Sequence, residues 1–91
     1  TGEGSIDSQT VCGKAPLGVA RVAKRLGKPV IAIAGSLADD VGMVYGYGID
    51  AVFSVVPRPC SLEEALAEAA ANIRLAARNI AATVRLSRNL P

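Results

Sequence analysis

The first sixteen residues, TGEGSIDSQTVCGKAP, combine side chains that bind anions with glycines that expose the backbone. They include three glycines, two carboxylates, four hydroxyls, one amide and one lysine. Glycine has no Cβ atom, so its backbone amide can come close to a ligand. Lys14 stands just before the first predicted helix, where the helix dipole favours anions. The segment therefore predicts a polar loop that binds a phosphorylated or anionic small molecule and adds nothing to the core.

Individual residues of this loop are candidates for distinct chemical roles. Gly2 and Gly4 are predicted to contact a phosphate through their amides, with Gly13 and Lys14 as a second contact. Glu3 and Asp7 are candidates for holding Mg²⁺ or for accepting a proton from a substrate hydroxyl. Turn or cap roles stay open for both carboxylates, and Lys14 is equally well a solvated lysine. The loop is not a Walker A motif, because alanine follows Lys14 where that motif has serine or threonine.

Composition limits the class of protein. The 91 residues are 51% apolar, with Tyr45, Tyr47 and Phe53 as the aromatic residues, so an aliphatic core of helices on a parallel sheet is expected. A net charge of +2 gives no electrostatic case for nucleic acid or for a membrane surface. The chain has no histidine, and Cys12 and Cys60 form no CxxC pair. Two reduced thiols of a cytoplasmic protein are therefore expected, without a disulfide.

The segments after the loop alternate between helix and strand patterns. Residues 17–26 predict an amphipathic helix, with Pro16 in its first turn and Gly27 at its end. Residues 30–34 and 51–56 are short apolar runs that predict buried parallel strands. A short helix between them, over residues 39–45, is weakened by glycines. Ser61 and Glu64 have the spacing of a capping box, and their helix is expected to run to about residue 86.

The order of loop, helix, strand, helix, strand and helix predicts an α/β fold of parallel strands with packed helices. The last helix would be about 37 Å long, which is more than two short strands can cover. The chain is therefore expected to be one part of a larger α/β protein. Ligands of such sheets lie beyond the carboxyl ends of the strands. Ser36 and Arg58 follow the two predicted strands, so they are candidates for phosphate or substrate binding, with an N-cap and a surface arginine as the alternatives.

The opening motif also resembles a known family. The residues that carry the resemblance are Thr1-Gly2-Glu3-Gly4, Asp7, Gln9-Thr10, Gly13-Lys14, Pro16 and Gly18-Val19-Ala20, followed by the strand Val30-Ile31-Ala32-Ile33-Ala34-Gly35. They resemble the C-terminal part of the bacterial glycerate kinases, which phosphorylate D-glycerate with ATP, most often at the 2-hydroxyl. The resemblance extends through the closing helix, whereas Ser5 and Cys12 fall at positions that are taken as variable.

The resemblance implies a two-domain α/β kinase, with flavodoxin-like topology in one domain and the active site between the two. This chain would be a C-terminal fragment, inactive alone, with residues 1–16 as the active-site loop and 17–91 as the helix-strand-helix-strand-helix remainder. The implied cofactors are ATP and Mg²⁺, and the implied substrate is D-glycerate. The implied partner is the missing N-terminal part of the same chain, and a homo-oligomer is a further alternative. Asp7 is the candidate catalytic carboxylate with Glu3 as its rival, and Lys14 is the candidate phosphate contact. The alternative function is a non-catalytic α/β module that binds an anion or docks a partner chain.

Overall fold

The computed structural model describes residues 1–7 and 15–91, which form two compact units, Thr1–Ser54 and Val55–Pro91. The first unit contains three parallel strands in the order β1 (Gly2–Ile6), β2 (Ile31–Leu37) and β3 (Ala51–Ser54). Helix α1 (Ala15–Arg25) connects β1 to β2, and a 3₁₀ helix (Val41–Tyr47) connects β2 to β3. The predicted α/β class with parallel strands and packed helices is confirmed.

The opening segment is the largest correction to the sequence analysis. The polarity of residues 2–6 predicts a loop outside the core, whereas Gly2–Ile6 forms strand β1 and Ile6 is completely buried. Pairing with β2 explains the difference, because the ladder satisfies the backbone groups of a glycine-rich segment whatever its local preference. The core that Ile6 joins is aliphatic, as expected, and consists of Ile6, Leu17, Ala20, Val30, Ala32, Ala34, Val44 and Ile49.

Helix α1 ends as the sequence predicts. Gly27 has φ +67°, its amide donates to the Lys24 carbonyl at 3.2 Å, and the Lys28 amide donates to the Ala23 carbonyl at 2.9 Å. These two bonds form a Schellman motif, in which a left-handed glycine reverses the chain after a helix. The reversal leads directly into β2, which runs from Ile31 to Leu37 and so is longer than the predicted 30–34 strand.

The second unit contains α2 (Leu62–Ala67) and α3 (Ala69–Ser87) in place of the single predicted helix. The capping box is confirmed: the Ser61 hydroxyl accepts from the Glu64 amide, and the Glu64 carboxylate accepts from the Ser61 amide. The interruption lies at Glu68, with φ −99° and ψ 7°, outside the helical range. Within residues 1–7 and 15–91, the helices lack the combination of length and hydropathy that a membrane span requires.

An ionic cluster holds the amino ends of β2 and β3 together. The Asp50 carboxylate accepts hydrogen bonds from the Lys24 ammonium and from the Val30 amide, the latter at 2.7 Å, while the Asp50 amide donates to the Val30 carbonyl at 2.9 Å. The hydrogen bonds from Lys24 and from Val30 hold the pKa of Asp50 below its usual range. The carboxylate therefore joins the end of α1 to both strands.

We predict that Asp50→Asn lowers the thermal midpoint at pH 7 and that the deficit shrinks as the medium becomes acidic. A carboxylate with a lowered folded-state pKa contributes stability above its unfolded pKa and loses it as the pH falls through the folded value. Thermal unfolding of both proteins between pH 7 and pH 3 measures the effect. Asp39→Asn, at an exposed aspartate, is the matched control. A deficit that stays constant down to pH 3 would contradict the assigned role.

Candidate functional site

The carboxyl ends of the three parallel strands form one edge of the sheet, and polar side chains collect there. Asp7 follows directly after β1 and is half-buried, Ser36 lies near the end of β2, and Ser54 is the last residue of β3. Ligands of parallel α/β sheets bind beyond this edge. These residues are therefore the described part of the candidate site.

The ladder brings two serine hydroxyls together at this edge. Ser5 pairs with Ser36 in the register of β1 and β2, and the Ser36 hydroxyl donates to the Ser5 hydroxyl at 3.2 Å. On the next strand, the Ser54 hydroxyl donates to the Gly35 carbonyl at 3.4 Å. Ser36 thus lies inside β2, and neither caps a helix nor follows the strand, because pairing with β1 extends β2 to Leu37.

Sequence reasoning missed Ser5 and Ser54. Ser5 falls at a position of the opening motif that does not carry the resemblance, and Ser54 lies within an apolar run. The strand register would have revealed both residues. Ser5 lies opposite Ser36, and Ser54 lies opposite Ala34, which is two residues before Ser36. Only the strand pairing reveals that the three hydroxyls belong to neighbouring strands.

The two candidate carboxylates occupy different parts of β1. Glu3 lies within the strand, opposite Ala34, whereas Asp7 lies past its end. Four residues of extended chain separate them by about 13 Å, at 3.3 Å per residue. They therefore do not form one paired acid–base site, and Asp7 is the carboxylate at the carboxyl ends of the strands.

The remaining predicted contacts have different outcomes. Gly2 and Gly4 lie in β1, and extended residues two apart place their amides about 7 Å from each other, so these amides do not converge as in an anion-binding nest. A phosphate contact by either glycine stays a prediction. Lys14 lies outside the described residues, and its phosphate contact likewise stays a prediction.

Arg58 belongs to the second unit, where its guanidinium binds two carboxylates. It donates to Glu68 at 3.1 Å and to Glu64 at 3.3 Å. Hydrogen bonding to Glu64 and the charge of Glu68 raise the pKa of Arg58. The pKa of Glu64 is lowered, first by its bonds to Ser61 and then by Arg58. These contacts tie the loop before α2 to the helical segment, and the predicted substrate contact of Arg58 stays untested.

A dedicated metal cage is absent from the part of the chain that the structure describes. There, no group of three or more histidine, cysteine, aspartate or glutamate side chains could hold a metal ion. Mg²⁺ that is bound to a nucleotide requires fewer protein ligands. Phosphate oxygens and water occupy most of its six coordination positions, and one or two carboxylates complete them. Asp7 at the edge of the sheet fits that smaller requirement.

Comparison with known proteins identifies relatives along nearly the whole chain. A model of the glycerate kinase family matches residues 1–85. Glycerate 2-kinase of Escherichia coli (strain K12) is 60% identical over 86 residues, which are 94% of this chain and 23% of that protein. Glycerate kinase of Bacillus subtilis (strain 168) is 52% identical over 90 residues, which are 99% of this chain and 24% of that protein. The chain thus spans less than a quarter of the length of these two relatives.

We predict that Ser5 and Ser36 are energetically coupled. A double-mutant cycle with Ser5→Ala and Ser36→Ala should give a coupling of about 0.5 kcal/mol in the free energy of unfolding, near the low end for a hydrogen bond because both hydroxyls are exposed. Urea denaturation measures the four proteins. Ser5→Ala combined with Asp50→Asn, at the opposite ends of the strands, is the control and should be additive. Additivity in the Ser5 and Ser36 cycle would exclude the bond.

Proposed function

The chain belongs to the glycerate kinase family, and from this premise we propose that it is part of an enzyme that transfers the γ-phosphate of ATP to D-glycerate. The match to the family model over residues 1–85 carries the proposal. Because the chain spans less than a quarter of the length of its two described relatives, the activity is proposed for the full-length protein. A cytoplasmic location, where ATP is available, is part of the same proposal.

The 2-hydroxyl of glycerate is the proposed acceptor, with 2-phosphoglycerate as the product. The support is the name of the Escherichia coli relative, glycerate 2-kinase, which is 60% identical to this chain over 86 residues. Attack by this hydroxyl forms a new bond from oxygen to phosphorus, and the bond from the γ-phosphorus to the bridging oxygen breaks, so ADP leaves. The hydroxyl proton must pass to a base as this happens.

Asp7 is the proposed base for that proton. Its support is its place after β1, at the edge where parallel sheets bind ligands, whereas Glu3 lies within the strand. A carboxylate in hydrogen-bond reach of the acceptor hydroxyl orients it and accepts its proton. Asp7 therefore takes precedence over Glu3 as the catalytic carboxylate.

The anionic groups of both substrates require hydrogen-bond donors from the protein. Lys14 and Ser36 are proposed as two such donors. The Lys14 ammonium contacts a phosphate of ATP, and the Ser36 hydroxyl contacts the substrate or its transferring phosphate. Gly2, Gly4 and Arg58 are retained as further proposed contacts. Mg²⁺ bound with ATP would neutralise phosphate charge, and Asp7 or Glu3 would be the carboxylate that holds it.

We predict that the full-length protein releases ADP only when D-glycerate and Mg²⁺ are both present. A coupled ADP-release assay measures turnover, and phosphorus NMR of the product identifies which hydroxyl of glycerate carries the phosphate. Excess EDTA should abolish turnover, and added Mg²⁺ should restore it. Full-length protein that folds but releases no ADP with glycerate would favour the non-catalytic anion-binding or docking module instead.

We predict that Asp7→Asn lowers kcat by about 10²-fold or more, the range of a lost general base, while Glu3→Gln has a smaller effect. Lys14→Ala should lower kcat/KM for ATP, because a charge on the phosphates is lost. Steady-state kinetics of the full-length enzyme measure all three variants, with Asp39→Asn as the control. Near-normal turnover of Asp7→Asn and Lys14→Ala would show that the assigned roles are wrong, and a larger loss in Glu3→Gln would make Glu3 the base.

A further inference from the structure

Two glycines lie opposite each other on β1 and β2. The register pairs residues of β1 with residues 31 positions later, as in the pair of Ser5 and Ser36, so Gly4 faces Gly35. A Cβ atom on Gly35 would lie 2.9 Å from the Gly4 carbonyl oxygen, closer than real Cβ contacts. A Cβ atom on Gly4 would have no heavy atom within 4 Å. Only position 35 of this pair therefore requires glycine for steric reasons.

The obstacle at position 35 is backbone, so it cannot be relieved by a change of rotamer. An alanine there would have to push the Gly4 carbonyl away by about 0.5 Å to reach ordinary van der Waals separation. Gly35 does not adopt positive φ, since among the described glycines only Gly27 and Gly48 do. The constraint is thus the close approach of two strands, and not an unusual turn.

The residues next to this contact are those of the candidate site. Ser5 follows Gly4, and Ser36, its hydrogen-bond partner at 3.2 Å, follows Gly35. Ile6 is completely buried and fixes the chain on the far side of Ser5, and Asp7 comes next. Because the segment between Gly4 and Asp7 has little conformational freedom, a shift of the Gly4 carbonyl would also displace Asp7.

We propose that Gly35 is a positioning residue for the candidate site. Its missing side chain lets the Gly4 carbonyl lie against β2, and this approach sets the Ser5 and Ser36 hydroxyls and the Asp7 carboxylate at the edge of the sheet. The inference rests on the proposed function, in which Asp7 is the base and Ser36 is a substrate contact. Gly35 acts through its neighbours.

The test compares Gly35→Ala with Gly18→Ala in the full-length enzyme. Gly18 lies exposed in α1, and a Cβ atom there would have no heavy atom within 4 Å, so the control adds the same methyl group without a clash. Gly35→Ala should lower kcat about tenfold, because displacements of this size misplace reacting groups, and should leave KM for ATP within about twofold. Gly18→Ala should keep the wild-type kcat. A variant with a lower thermal midpoint but wild-type kcat would overturn the positioning role.

Hydrogen exchange provides a readout that does not depend on the reaction. Amides of residues 3–7 should exchange faster in Gly35→Ala than in the wild type and in Gly18→Ala, and unchanged exchange would overturn the proposal. Wild-type protein without glycerate-dependent turnover would refute the proposed function alone, and the exchange comparison would then decide the role of Gly35. If Gly35→Ala folds poorly, the same comparisons are made between Gly18→Ala and the double variant Gly18→Ala with Gly35→Ala. Alanine at position 18 stabilises α1, because it has a higher helix propensity than glycine.

Discussion

The Ile33 amide donates to the Thr1 carbonyl at 3.0 Å, and the Ala38 amide donates to the Ile6 carbonyl at 2.9 Å. These bonds mark the two ends of the ladder between β1 and β2, and the candidate site depends on that ladder. It converts a polar, glycine-rich segment into a strand, buries Ile6 and leaves Asp7 past the carboxyl end of the sheet. Without the pairing, the same residues would have no fixed relation to β2, because glycine gives the chain many conformations.

The two edges of the sheet carry polar groups with different tasks. At the amino ends of β2 and β3, one oxygen of the Asp50 carboxylate accepts from Lys24 and from the Val30 amide, which fits a structural role. At the carboxyl ends, serine hydroxyls and the Asp7 carboxylate collect where a ligand of such a sheet would bind. The strands thus hold the chemistry at one edge, while ion pairing stabilises the other.

Family membership and geometry support the proposed reaction in different ways. The family match supports the proposed class of enzyme, and the position of each carboxylate relative to β1 favours Asp7 over Glu3 as the base. Phosphoryl transfer depends mainly on positioning and on charge neutralisation, so small steric features that fix the backbone acquire catalytic importance. The approach of Gly4 to Gly35 is such a feature. Within the second unit, the Nη2 group of Arg58 already binds two carboxylates, so part of its charge is balanced there.

The sequence by itself determined the local elements and the family. The end of α1 at Gly27, the capping box of Ser61 with Glu64 and the aliphatic core follow from short-range rules of backbone conformation, hydrogen bonding and burial. Only the tertiary structure decided that Gly2–Ile6 is a strand. It also decided that Ser5 meets Ser36. The physical reason is that strand pairing joins residues about thirty positions apart, and no local pattern of polarity or propensity encodes the register of such a pair.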